Sequence, residues 1–117
     1  MIRKVVCIML LAASFSGCYY DVESELYGGG CDLPQTISYS TDIQPIMDTW
    51  CAISGCHVQD GTGSGLLDSY EGVITKLDDG TLENALFVDK DMPPNSTFPP
   101  CHAQAVKNWI EQGALDN

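Results

Sequence analysis

Apolar positions along the chain fall into four short stripes at helical spacing. Ile43, Ile46, Met47 and Trp50 form the first, which predicts a helix over about 42–51. Ser40, Thr41 and Asp42 are its N-cap candidates, with Thr41-x-x-Gln44 as a capping box and Pro45 in the first turn. Tyr70, Val73, Ile74 and Leu77 form the second, opened by Asp68-x-x-Glu71 and stopped by Asp78-Asp79-Gly80. Leu82, Leu86 and Phe87 predict a short third helix within 81–88. Ala105, Val106, Trp109 and Ile110 predict a last one from about Cys101 to Gln112, closed by Gly113. No stretch alternates with the period of a strand, so the expected class is all-α, with three to four short helices.

Two intervening stretches are polar or stiff. Residues 58–65 carry Gly61, Gly63 and Gly65. A phosphate cradle would need a strand before it and a helix start after it, and a loop passing close to a bound group fits better. Lys90-Asp91-Met92-Pro93-Pro94 reads as rigid and extended, because each proline fixes its own φ and restricts the residue before it.

The beginning of the chain follows a different pattern. Arg3 and Lys4 precede an apolar run from Val5 to Ala13, and small residues lead to Gly17-Cys18. This predicts a secretory leader over 1–17, too short to span a bilayer, which takes about 20 residues. The Gly17-Cys18 junction resembles the lipobox of bacterial lipoproteins, implying cleavage before Cys18 and lipid on its sulfur and new amino end. Residues 18–30 are acidic, lack apolar periodicity and end in three glycines, as a flexible tether would. The expected domain is therefore 31–117, held to a membrane of the bacterial cell envelope through Cys18.

Charge narrows the partners. Beyond the leader only Lys76, Lys90 and Lys107 stand against all 16 acids, a formal charge of −13. Nucleic acid is excluded on electrostatic grounds, whereas a protein with a basic docking face would be steered towards this one.

The candidate chemistry sits at the end of the first helix, in Cys51-Ala52-Ile53-Ser54-Gly55-Cys56-His57. C-x4-C-H is a stretched form of the C-x-x-C-H signature that attaches haem c. Two thiols add across the two haem vinyl groups, and the following His lies under the iron as its proximal ligand. At roughly 100° per residue, two helical cysteines at this spacing would point about 140° apart. The chain must therefore leave helix after Cys51, which Ser54-Gly55 permits. The other cysteines then find roles. Cys7 leaves with the leader, Cys18 takes lipid, and Cys31 and Cys101 remain for a disulfide in an oxidising compartment.

From Thr41 onward the chain resembles small bacterial monohaem c-type cytochromes, particularly lipoprotein cytochromes of the Bacteroidetes kind. The resemblance rests on Asp42-Ile43-x-Pro45-Ile46, Cys56-His57, Gly65-Leu66, Ser69-Tyr70-Glu71-Gly72-Val73, Met92-Pro93-Pro94 and Trp109-Ile110-x-x-Gly113-Ala114, in that order. It implies a cytochrome c-like fold around one covalent haem, His57 and Met92 as axial ligands, cysteines at the places of Cys31 and Cys101, and electron transfer between redox partner proteins. A haem would also give Ile43, Ile46, Trp50, Leu66, Val106, Trp109 and Ile110 a large apolar body to pack around.

Other readings explain less. Zinc on Cys51, Cys56 and His57, completed by Cys101 and His102, lacks the usual ligand spacings. A structural or binding lipoprotein without haem, with Cys51 bridged to Cys56, leaves His57 and Met92-Pro93-Pro94 without a reason. A peroxidase-like enzyme needs an open iron position, which a Met ligand closes. Met47 reads as core filler, Trp109 as core, and His102 as a minor candidate for the sixth ligand.

Overall fold

A computed structural model describes residues 30–117. The leader over 1–17, Cys18 and the tether up to residue 29 lie outside the described residues. The described chain is all-α, with no strand among its described residues. Its elements are α1 (Tyr39–Ile43), α2 (Gln44–Trp50), α3 (Tyr70–Asp78), α4 (Thr81–Glu83), α5 (Asn84–Val88) and α6 (Pro100–Glu111). None of these helices is long and apolar enough to cross a membrane.

The first helix begins earlier than the stripe alone predicts. Its cap is Ser38, not one of residues 40–42. The Ser38 hydroxyl accepts from the Thr41 N–H at 3.4 Å, while Asp42 Oδ2 accepts from the Ser38 N–H at 2.8 Å, a reciprocal arrangement of the capping-box kind. α1 is wound as a wide π turn, with the Ile43 N–H reaching the Ser38 carbonyl at 3.2 Å. Pro45 gives the reason. It has no N–H, and its ring crowds the carbonyl four residues back unless the preceding turn is widened. At α3 the cap is Ser69 rather than Asp68, its hydroxyl accepting from Gly72 N–H at 3.3 Å.

Helix ends follow their glycines. Gly80 (φ +77°) separates α3 from α4. After α6, Gly113 (φ +101°) donates to the Ile110 carbonyl and Ala114 to the Trp109 carbonyl, the paired bonds of a Schellman cap.

The core closes around Trp109, which is fully buried with Ile37, Ile43, Met47, Val73 and Val106. Tyr39, Tyr70 and Trp109 form a trio of rings, with centroids 5.0 Å apart for the tyrosines and 5.6 Å for Tyr39 and Trp109. Two of its polar atoms find carbonyls just past α6: Tyr70 Oη donates to Ala114 and Trp109 Nε1 to Leu115. The tail then returns to α1, where the Asn117 backbone oxygen accepts from Ser40 N–H and Ser38 Oγ. Gln112 spans to the other side, accepting from Ile37 N–H at 2.9 Å and donating to the Gln35 carbonyl. These bonds and the packing of α6 on α1 hold α1 and the α2 that follows it in place, and Cys51 is the C-cap of α2.

Ile43, Ile46, Val106 and Trp109 belong to one buried cluster of the protein's own side chains. Leu66 points outward at 45% exposure, and its neighbour Leu67 takes the buried place. The Met92-Pro93-Pro94 segment is not simply extended either. It bends at Pro93 and turns at Pro94-Asn95, with Asn95 at φ +61°.

Candidate functional site

α2 stops at Trp50, and Cys51 takes a non-helical backbone as its C-cap, still donating to the Met47 carbonyl at 2.8 Å. The chain turns through Gly55 (φ +82°) and returns so that His57 N–H meets the Cys51 carbonyl at 3.2 Å. The glycine-bearing loop folds onto this turn. Gly63 N–H donates to the Cys56 carbonyl at 3.2 Å, and Leu67 N–H to the His57 carbonyl at 2.9 Å. Backbone bonds thus hold both cysteines and the histidine at fixed points.

A cavity of about 580 Å³ opens beside them, a size typical of small-molecule and cofactor sites. Cys51, Cys56, His57 and Met92 all line it. These four come from two stretches of chain 35 residues apart. Leu67, from the loop, and Leu82 and Leu86, from α4 and α5, give it apolar walls. Of the residues the sequence assigned to packing around a bound group, Trp50 is in the wall, whereas Leu66 and Trp109 are not.

His57 is aimed by its surroundings. Its Nδ1 lies 3.1 Å from the Gly65 carbonyl oxygen, and a carbonyl can only accept. Nδ1 therefore carries the proton, and Nε2 keeps its lone pair for a metal or a proton. The loop comes so close that a Cβ on Gly63 would lie 2.7 Å from Nδ1. This is a definite reason for glycine there.

The two thiols are free. Burial pushes the Cys51 thiol up to about 11, with the nearby Cys56 sulfur adding to the rise, so Cys51 remains a neutral S–H at physiological pH. Cys31 and Cys101 instead form a disulfide, with Cα atoms 5.4 Å apart. That bond removes Cys101 from any zinc site. Among the described residues no three His, Cys, Asp or Glu side chains gather as a metal site. His102 is not in the cavity wall: it packs on Trp50 and Phe98, its Nδ1 buried without a partner among the described residues.

Two contributors were hidden from the sequence reading. The sequence predicts for the loop of Gly65 only a close approach, yet the Gly65 carbonyl sets the His57 tautomer, a backbone role that no residue type announces. Lys76, from the last turn of α3, lines the cavity, and its place on a helix end gives no hint of this.

Comparison with protein-family models, curated proteins and solved structures found no match. The likeness to c-type cytochromes therefore stands on the residues themselves.

Proposed function

We propose that this chain is a monohaem c-type cytochrome, anchored by lipid on Cys18 in the bacterial cell envelope and carrying single electrons between partner proteins. The observation that carries the reading is the meeting of Cys51, Cys56, His57 and Met92 on one cavity of suitable size. The helical, strand-free described chain is compatible with a cytochrome c-like fold built around that cavity.

The donor set fits the group. Each thiol would add its S and H across one vinyl double bond, so two thioethers form without any oxidant. His57, with its proton fixed on Nδ1, would offer Nε2 as one donor to the iron. Met92, 37% exposed at the cavity edge, offers a thioether as the other. An iron held by its macrocycle asks the protein for two donors, so no larger cluster of ligating side chains is needed. A bound haem supplies one reversible electron, and a His/Met pair favours the ferrous form. With His57 and Met92 both given to the iron, no site on it would be left for a peroxide or other substrate, which suits a carrier rather than an enzyme.

The test is production of the full chain alongside a c-type maturation system, followed by haem staining of a denaturing gel. The stain should follow the wild-type chain and vanish from the Cys51→Ser/Cys56→Ser double variant. A wild-type band without stain would favour a disulfide-stabilised structural or binding lipoprotein instead.

A further inference from the structure

Among the described residues the cavity wall holds no acid, although the domain is strongly acidic, and Lys76 is its one cation. Within the described residues Lys76 shares the positive charge only with Lys90 and Lys107, because no arginine lies beyond Arg3. Both of those lysines are exposed, and neither lines the cavity. The Lys76 side chain is only 20% exposed. Its stem passes over Gly65 so closely that a Cβ on that glycine would run into Lys76 Cε. Gly65 is the residue whose carbonyl holds His57. The ammonium is therefore kept at the cavity beside the loop that aims the histidine.

Its one partner among the described residues leaves it under-satisfied. Lys76 Nζ meets Asp79 Oδ2 at 3.4 Å, a long contact to a carboxylate that is itself 44% exposed. Asp79 is mainly committed elsewhere. Hydrogen bonds from the Thr81 side chain and backbone hold its carboxyl below the usual range, with Lys76 contributing less. An ammonium has three donors, and Asp79 is the one partner it has among the described residues.

We propose, resting on the haem reading above, that Lys76 pairs with a haem carboxylate and so fixes which way round the group sits. The carboxylate-bearing edge lies towards the C-terminal end of α3, and Asp79 acts as a second, weaker claimant on the same ammonium. The arrangement also acts on the iron. A cation beside the carboxylate offsets its charge and favours the ferrous state, while a free carboxylate favours the ferric one.

The test uses the haem-loaded full chain carrying carboxylate-labelled haem, and reads the labelled carboxylate stretch in the infrared difference between oxidation states together with the reduction potential. Lys76→Gln should shift the labelled band and lower the potential, and Lys76→Arg should return both towards wild type. Asp79→Asn, which frees the ammonium, should move the potential upward. Lys107→Gln removes the same charge from an exposed site on α6 and should leave the band where it was. A labelled band unmoved by Lys76→Gln would overturn the pairing while leaving the haem reading intact. A wild-type chain that takes up no haem would overturn the parent reading instead.

Discussion

The ring of His57 is fixed by Gly65: Nδ1 stands 3.1 Å from the Gly65 backbone oxygen. Gly63 closes the same side of the ring, with space for a hydrogen and none for a methyl. Between them, two glycines of a polar loop decide which nitrogen faces the cavity.

Gly63→Ala should disturb this arrangement. The new Cβ would sit 2.7 Å from Nδ1 and 2.9 Å from Cγ, so ring or loop must shift. A loss of about 1–3 kcal/mol is expected for such overpacking, read as a lower urea midpoint. In haem-loaded protein the reduction potential should change as well. An unchanged midpoint and potential would mean that the loop is free to yield.

Removing the Cys31–Cys101 bridge should be costly. It joins residues 70 apart, and the chain-entropy account gives about 4 kcal/mol for a loop of that length. Cys31→Ser/Cys101→Ser should therefore unfold at much lower urea. Because neither residue lines the cavity, haem attachment should persist in protein that does fold. Free thiols at both positions in envelope-purified wild type would contradict the pairing.

Much of this fold was legible because each stripe coincides with one buried face. Val73 and Trp109 are buried where their spacing placed them, and Gly80 and Gly113 take the positive φ expected of helix stops. The exact caps were not legible. Ser38 rather than Thr41 starts the first helix because Asp42 reaches back to it and Pro45 widens the turn. Leu66 and Leu67 could not be separated by pattern, since adjacent apolar residues in a loop carry no period. At the site, C-x4-C-H and the Met92-Pro93-Pro94 run single out Cys51, Cys56, His57 and Met92 by side-chain type, and the structure places all four on one cavity. The Gly65 carbonyl and Lys76 became visible only through packing.

Stability should fall at alkaline pH partly through Tyr39. Its hydroxyl is buried with no partner among the described residues. Burial, followed by Asp48, Asp116, Glu71 and Asp68, pushes its pKa up to about 12. In the unfolded chain the phenol ionises near 10, so from pH 10 towards 12 the unfolded state alone gives up this proton and gains stability. Tyr39→Phe should remove that component and be as stable as wild type at pH 7, or more stable by about 1 kcal/mol. Thermal unfolding of both proteins at pH 7 and pH 11 checks this. A Phe variant that falls off with pH as steeply as wild type would contradict it.

The sixth ligand separates carrier from catalyst. Met92 lines the cavity, and His102 does not. In haem-loaded ferric protein, Met92→Ala should abolish the weak long-wavelength sulfur-to-iron band, lower the potential and open the iron to added ligands. His102→Ala should leave the band in place. Its survival in the Met92 variant, or its loss in the His102 variant, would reassign the ligand.

The most direct measurement is the intact mass of the denatured, haem-matured chain, followed by mapping of the peptide that spans Cys51 to His57. Cys51 and Cys56 are both free and both border the cavity, so one haem should be retained after denaturation, with a thioether on each sulfur. A chain of polypeptide mass alone, with Cys51 and Cys56 joined to each other or unmodified, would contradict it.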